Sequence, residues 1–446
     1  MRGICSSPAI LFHIDHSRRS HLSPRRCRRT PTPTPSRESA KLTASSGFGM
    51  HSADKMGKVL ILDANQRSAL AIIRSLGRQG LEIVAGDHVR SSIGCASRYT
   101  AESVRYPDPG TSPKRFVAQI TEIVDRLSID TVVPATDLTT MLLLSQSRLA
   151  KSVRLAAPSA QSYEALTDKA HLIDLASTLG IAVPETVTAR TAVAVSDAAQ
   201  SFGFPVVLKP SRSRYLKGDR VMSTSVQVVR SASSLPEVLR SLRWLGDLPC
   251  LVQRFVPGHG AGIFALYGAS GPIAWFAHQR LREKPPTGGV SVLSESAPVD
   301  SIMQSAAAKL LSAVDWTGVA MVEFRIAADG VPYLMEVNGR FWGSLQLSID
   351  CGVDFPWLFY QMLHGIPAAT PPTYAIGRRL RWLLGDLDSF VTEIRRSPSG
   401  SRQPAKAAIA FLRSFADAQC RQETLRLYDP GPGLLELRQW LRGLIK

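Results

Sequence analysis

Two glutamates and an asparagine in the stretch Met321-Val-Glu-Phe-Arg-Ile-Ala-Ala-Asp-Gly-Val-Pro-Tyr-Leu-Met-Glu-Val-Asn-Gly-Arg340 have the types and the spacing to hold a divalent cation. The stretch alternates as two strands about an Asp329-Gly330 turn. Val322, Phe324 and Ile326 on the first strand, and Tyr333, Met335 and Val337 on the second, are expected to point into a core. Glu323, Glu336 and Asn338 then share the other face. In an unbulged register Glu323 stands opposite about Leu334, which makes Glu336 its diagonal neighbour at roughly 7–8 Å. One or two cations bridge such a gap. Carboxylates and an amide oxygen are hard ligands suited to Mg²⁺, or Mn²⁺ in its place, with open positions left for phosphate oxygens. The pattern predicts a magnesium nucleotide site; the plain alternative is a polar sheet face turned to solvent.

Two lysines fit the same chemistry. Lys169 stands at a helix start in Thr-Asp-Lys, and Lys209 ends the apolar strand Phe-Pro-Val-Val-Leu-Lys-Pro. An ammonium at the end of a buried strand is poorly solvated unless it snorkels, and a nucleotide phosphate is a natural partner for it. Further on, Gln253-Arg-Phe-Val-Pro-Gly258 is an extended segment offering backbone groups beside an apolar wall, as a purine requires.

The elements that must position these residues come in two styles. From Lys58 strands and helices alternate: strand Lys58–Asp63, helix Gln66–Gln79, strand Leu81–Ala85, helix Phe116–Leu127, strand Thr131–Pro134, helix Asp137–Ala150 and strand Val153–Ala156. Repeated β-α units imply a parallel sheet covered on both faces, a Rossmann-like domain. Its first turn, Asp63-Ala-Asn-Gln-Arg67, lacks Gly-x-Gly-x-x-Gly, so it suits a substrate pocket better than a dinucleotide. Helices over Ser159–Leu166 and Asp168–Leu179 follow, with Ser159 and Thr167 available as caps. An α+β region comes next: strands Val206–Lys209, Ser225–Val229 and Cys250–Phe255, helix Ser234–Leu242, strands Gly262–Tyr267, Pro272–His278 and Val290–Ser294, and a helix from about Asp300 to Ala313. Phe341 should open a helix whose N-terminus favours an anion. Beyond Pro371-Pro372 the segments Arg379–Asp386 and Ile409–Cys420 read as helical.

The order of these motifs resembles the ATP-grasp superfamily, the fold of biotin carboxylase, the carbamoyl-phosphate synthase large subunit and D-alanine ligase, and within it the ATP-dependent carboxylate-amine ligases or carboligases. The resemblance covers roughly residues 58–370. It implies α/β and α+β architecture: a Rossmann-like pre-ATP-grasp domain at 57–158, a two-lobed ATP-grasp domain at 159–370 with its flexible lobe at about 185–256, and a helical extension at 371–446. It further implies that Lys169 and Lys209 hold ATP phosphates and that Gln253, Arg254, Phe255 and Val256 meet adenine, Gln253 by its side chain and Val256 by its backbone. Glu323, Glu336 and Asn338 would bind Mg²⁺, and Arg340 would face the transferred phosphoryl group. Two places depart from the family pattern. The flap between Lys209 and Ser225 is Ser211-Arg-Ser-Arg-Tyr-Leu-Lys-Gly-Asp-Arg220, with Gly218 alone where the family is glycine-rich, so Arg212, Arg214, Lys217 and Arg220 either compensate by charge or form a solvated loop. Where relatives place a ribose-binding carboxylate, this chain has His259-Gly260.

On the acceptor side, His278 leads into a Pro/Gly-rich loop, and Arg280 and Arg282 would form a fork on one strand face, suited to a carboxylate. The Thr287-Gly288-Gly289 turn brings backbone close to the reacting groups or is an ordinary hairpin turn. The expected activity is ADP-forming ligation: Mg-ATP activates a carboxylate as an acyl phosphate, which an amine or other nucleophile attacks. Bicarbonate as the acid and a non-catalytic ATP sensor are the alternatives. A homodimer is allowed.

Composition narrows the classes. The 446 residues carry a net charge of +17, and residues 1–56 hold ten Lys or Arg against three acids, with three Arg-Arg pairs and a Thr-Pro repeat. Such a tail is expected to be disordered, or to precede a true start at Met50 or Met56. No aromatic-interleaved basic stripe marks a nucleic-acid partner, and no apolar run of about 18 residues marks a membrane span. The six cysteines, Cys5, Cys27, Cys95, Cys250, Cys351 and Cys420, lie far apart without a Cys-x-x-Cys, which argues against a zinc site or disulfide framework and for a cytoplasmic setting.

Overall fold

Alternate residues of the first strand bury against opposite layers. In the computed structural model, which describes residues 57–444 except 147–148, 151, 285–288, 369–372, 397–408, 410 and 412–416, Val59 and Ile61 pack with Ile72, Ile73 and Leu76 of the helix Arg67–Arg78. Leu60 and Leu62 pack instead with Phe116, Ile120 and Leu142. Helices therefore cover both faces of a parallel sheet, as a strand run with no polar alternation requires. The sheet comprises β1 (Lys58–Ile61), β2 (Glu82–Asp87), β3 (Thr100–Arg105), β4 (Thr131–Val133) and β5 (Arg154–Leu155), in the order β3-β2-β1-β4-β5. The edge strand β3 has no counterpart in the sequence reading, because Thr-Ala-Glu-Ser-Val-Arg is half-exposed and offers little apolar signal.

The helix Ala160–Thr167 is capped by Ser159, whose Oγ accepts from Ser162 N at 3.0 Å. The next helix, Lys169–Thr178, is capped by Asp168 rather than Thr167: Asp168 Oδ1 accepts from Ala170 N at 3.0 Å, while Thr167 Oγ1 donates to Tyr163 O. This cap sets Lys169 in the first turn.

A second sheet contains β6 (Thr186–Ala189) and β7 (Val206–Pro210). The small hairpin of β8 (Arg214–Lys217) and β9 (Arg220–Ser223) separates them from β10 (Gln227–Val229) and β11 (Cys250–Arg254). The sheet is antiparallel in the order β10-β7-β11-β6. Helix Ala192–Phe202 packs on it through Val195 and Ala199.

The third sheet is the largest: β12 (Gly258–Gly268), β13 (Gly271–Lys284), β14 (Val290–Ala297), β15 (Gly318–Ala327), β16 (Pro332–Asn338), β17 (Arg379–Arg381) and β18 (Cys420–Gln422), ordered β16-β15-β12-β13-β14-β17-β18. At Gly258, φ is +149°, and a Cβ there would lie 2.0 Å from Ile326 O, so the turn from the second sheet into the third needs glycine.

The C-terminal region is helical over Leu383–Arg396 and Gly431–Leu444, and it differs from the sequence reading in the bounds of its segments. Arg379–Arg381 is a strand with Leu380 buried, and the helix begins at Leu383. Cys420 opens β18, while Ile409 and Phe411 are helical and most residues between 397 and 416 fall outside the described set. Three residues of strand alternation were absorbed into an adjoining helical pattern. The helix expected from Phe341 runs over Leu345–Asp350, too short to act as an anion site. Residues 1–56, Pro371-Pro372 and Thr287-Gly288 lie outside the described residues. No described helix is long and apolar enough to cross a membrane.

Candidate active site

A β-bulge sets the register of the carboxylate edge. Met321 pairs with Asn338, Val322 with Val337 and Glu323 with Glu336, but Phe324 pairs with Leu334, so one residue, Met335, is inserted in β16. Glu323 and Glu336 are therefore direct cross-strand partners, closer than the diagonal pair of an unbulged register. The bulge also changes the buried set: Leu334 and Val337 face the core, whereas Tyr333 and Met335 are only partly buried. Asn338 Nδ2 lies 3.3 Å from Glu323 Oε1 and 3.3 Å from Glu336 Oε1, so three oxygen-bearing side chains converge.

Cations ring this cluster. Arg280 Nη2 donates to Glu323 Oε2 at 3.0 Å, and Lys169 Nζ lies 3.2 Å from Glu336 Oε2. Arg340 Nη2 donates to Asn338 Oδ1 at 3.1 Å and its Nε to Asp137 Oδ2 at 3.1 Å. Burial and the adjacent Glu336 push the Glu323 carboxyl up. Burial opposes ionisation of Glu336 as well, but Lys169, Asn338 and Lys209 together hold it below the usual carboxylate range. Lys209 Nζ sits 3.7 Å from Met335 Sδ, and burial, abetted by Lys169 and Arg325, lowers its ammonium to about 8 against the pull of Glu336. Two crowded ammonium groups suit the addition of phosphate oxygens.

The donor set fits Mg²⁺ carried with a nucleotide. No group of three or more His, Cys, Asp or Glu side chains that could hold a metal occurs among the described residues. Two carboxylates and an amide are the partial shell that Mg²⁺ completes with water and phosphate, in contrast to a resident all-protein cage.

The predicted nucleotide segment divides. Gln253 is buried and its Nε2 donates to Thr186 Oγ1 at 3.0 Å. Arg254 turns outward, its Nε on Glu185 Oε2 at 2.9 Å and its guanidinium over Phe202, so its side chain is not available to the expected nucleotide. Phe255 packs under Arg325, and Arg325 Nε donates to Val256 O at 2.6 Å. On the flap, Arg212 pairs with Asp168 and Glu164, and Lys217 with Asp247. Arg214 lines the cavity that holds Lys169, Ser213 and Glu336, and Arg220 is exposed.

The expected fork of Arg280 and Arg282 does not form. Irregular pairing of β13 with β14 at these positions separates them, and Arg282 makes a two-pronged bond to the buried Asp386 at 2.7 and 2.6 Å. Arg280 remains on a cavity of about 270 Å³ with Arg340, Arg67 and His278. His278 stacks on Phe264 and shares a 2.7 Å bond with Ser344 Oγ; burial and Arg280 lower its imidazole to about 3, so it is neutral. Sequence patterning alone gives Asp137, Arg325 and His278 no role. Arg325 was detectable, since it alternates with Glu323 along β15. Asp137 was detectable as the first helical residue after β4, at the carboxyl edge of a parallel sheet.

Residues 249–384 match the family model described as ATP-grasp in the biosynthetic pathway with Ter operon. N5-carboxyaminoimidazole ribonucleotide synthase of Synechococcus elongatus is 27% identical over 196 residues, 43% of this chain and 47% of that protein. A D-alanine--D-alanine ligase of Anaeromyxobacter sp. is 29% identical over 177 residues, 37% of this chain and 54% of that one. The chain thus spans about half the length of these curated relatives. Among solved structures, biotin carboxylase from Campylobacter jejuni superposes with a TM-score of 0.58 at 15% identity, covering 73% of this chain and 74% of that one. N5-carboxyaminoimidazole synthase from Aspergillus clavatus, solved with ADP and 5-aminoimidazole ribonucleotide, gives 0.56 at 17% identity, covering 73% and 80%. A parallel-sheet domain, an antiparallel lobe and a large sheet carrying the paired carboxylates agree with these likenesses: residues 249–384 match an ATP-grasp family model, and the chain shares the fold of biotin carboxylase and N5-carboxyaminoimidazole synthase.

Proposed function

We propose that this protein is an ADP-forming ligase that activates a carboxylate as an acyl phosphate on Mg-ATP and passes the acyl group to an amine or other nucleophile. The observation that carries this reading is the convergence of Glu323, Glu336 and Asn338 beside Lys169, Lys209 and Arg340. A carboxylate oxygen of the substrate attacks the γ-phosphorus of ATP, the bond to the bridging oxygen breaks, and ADP leaves. The nucleophile then adds to the acyl carbon and expels phosphate. Both steps need positioning and charge neutralisation rather than a covalent enzyme nucleophile. Lys169 and Lys209 would bind the phosphates, and Arg340, fixed by Asp137, would meet charge building on the transferred group. Mg²⁺, held by Glu323, Glu336 and Asn338, would neutralise phosphate charge. The nearby arginines would orient the substrate acid.

The first test is incubation with Mg-ATP, hydroxylamine and pooled carboxylates, reading ADP and hydroxamate together. Carboxylate-dependent ADP with trapped hydroxamate is the expected result. ADP without hydroxamate would point to bicarbonate or another phosphoryl acceptor; neither product, with ATP bound, would favour a sensor.

Lys209 gives the site a pH signature. Its ammonium titrates near 8 in the free protein, so it is charged below that pH and neutral above. Bound phosphate stabilises the charged form, so Mg-ATP affinity should be steady up to about pH 7.5 and fall about tenfold by pH 9, with proton uptake on binding near pH 8. Calorimetric titration in two buffers of different ionisation enthalpy measures this, and Lys209→Arg should flatten the profile. An unchanged slope in that variant would remove Lys209 from the phosphate site.

A further inference from the structure

We infer that the pocket beside the carboxylate pair takes a small acid bearing a second anionic group, and that Arg67 selects for that group. The inference rests on the ligase reading for the reacting end of the substrate; the second anion is argued from Arg67 itself. Three arginines, Arg67, Arg280 and Arg340, line the same cavity of about 270 Å³. Two are committed to the metal residues, Arg280 to Glu323 and Arg340 to Asn338. Arg67 comes from the Rossmann-like domain and bonds to none of the hairpin residues.

Its guanidinium is held in place from outside the site. Arg67 Nη1 donates to the buried Glu423, and the group lies over the Trp382 ring at 4.1 Å. Both partners belong to the C-terminal region. On the remaining side it meets Gly343, where an added Cβ would approach Nη2 to 3.3 Å. A guanidinium has five N–H donors, and Glu423 occupies one of its terminal nitrogens, so donors remain for a planar anion in a fixed orientation. Beside it lies Trp342, a lining residue whose ring is buried against Phe264 and Phe355. A fixed guanidinium with donors to spare on the wall of a polar pocket calls for anionic oxygens. A carboxylate and a phosphate share this chemistry.

The test is calorimetric binding to the full chain with Mg-ADP present, using pairs that differ in the second charge: succinate against succinamate, L-glutamate against L-glutamine, and 3-phosphoglycerate against glycerate. At least one dianion should bind about 10- to 100-fold more tightly than its partner, the gain of a charge-assisted bidentate contact. Whether the carboxylates or the phosphate lead identifies the anion. Arg67→Gln leaves Glu423 buried without its cation, so the double variant Arg67→Gln/Glu423→Gln removes both charges; it should lose the preference while keeping Mg-ATP affinity. Arg67→Lys should keep part of it. Equal binding within every pair, or a preference that survives the double variant, overturns the assignment. ADP formation from Mg-ATP, read in parallel reactions with the same pairs of acids, addresses the ligase reading separately. Selective dianion binding without ADP leaves Arg67 in place and counts against ligation, whereas ADP driven equally by both members of each pair does the reverse.

Discussion

Glu336→Gln should lower ADP release by about 10³-fold or more while leaving the melting temperature within a few degrees of wild type. The amide keeps the volume of the side chain and can still accept from Asn338 Nδ2, so packing around the hairpin is preserved. What it loses is charge at the point where three functions meet. Glu336 is a prospective metal ligand, the partner of Lys169 at 3.2 Å and the main charge sustaining the Lys209 ammonium. Its removal weakens cation binding and also lets Lys209 lose its proton more readily, so the phosphates forfeit two sources of neutralisation. The stability effect is small because the Lys169–Glu336 pair lies at an open cavity and one partner is about a third exposed; pairs in that setting contribute about 1 kcal/mol or less. ADP release and a thermal melt on one preparation check both halves. Full activity in the variant would dismiss the metal assignment, and a collapsed melt would make the loss one of folding.

The hairpin was legible because alternation places like residues on one face whatever the partner strand does. Its register was not. A bulge is a one-residue insertion whose cost and benefit depend on side chains from β12 and the helices beneath, and nothing local in Tyr-Leu-Met-Glu reveals that Met335 is the extra residue. The same limit explains Arg282. Strand alternation predicts that it shares a face with Arg280, but an irregular β13–β14 pairing and a buried carboxylate 104 residues away in sequence decide otherwise. Lys169 was readable from its place at a helix start, although the cap is Asp168, one residue closer than expected. The parallel domain was readable from apolar runs in β1, β2 and β4, and its polar edge β3 was not. Long-range pairs between charged residues leave no periodic trace, so sequence patterning does not show the C-terminal contacts to the first domain.

Those contacts set the second large effect, on stability. Arg74→Met should lower unfolding free energy by about 3–5 kcal/mol, the cost of stranding a buried charge. Arg74 is wholly buried on the helix Arg67–Arg78, yet its apolar neighbours do not explain it. Its Nε donates to Asp429 Oδ2 at 2.8 Å, Nη1 to Glu423 O at 2.8 Å, and Nη2 to Thr424 O at 2.8 Å and Asp429 O at 3.1 Å. One guanidinium thus satisfies three backbone carbonyls and a buried carboxylate of a segment with no core of its own. Methionine fills the space without any of these donors. Asp429 would retain bonds from Ser97 Oγ and Arg98 N but lose its cation. Arg74→Lys should help little, since a single ammonium cannot reach carbonyls and a carboxylate arranged for a fork. The double variant Arg74→Met/Asp429→Asn should recover a substantial part of the loss, because the stranded charge is what costs most. Denaturant titration of the three variants measures this, and hydrogen exchange over Cys420–Gln422 and Gly431–Leu444 locates it. Glu423 holds Arg67 through this same segment, so Arg74→Met should also blur any discrimination between acids at temperatures well below its melt. A variant that melts like wild type, with exchange unaltered there, would show that the C-terminal segment is anchored by its apolar contacts instead.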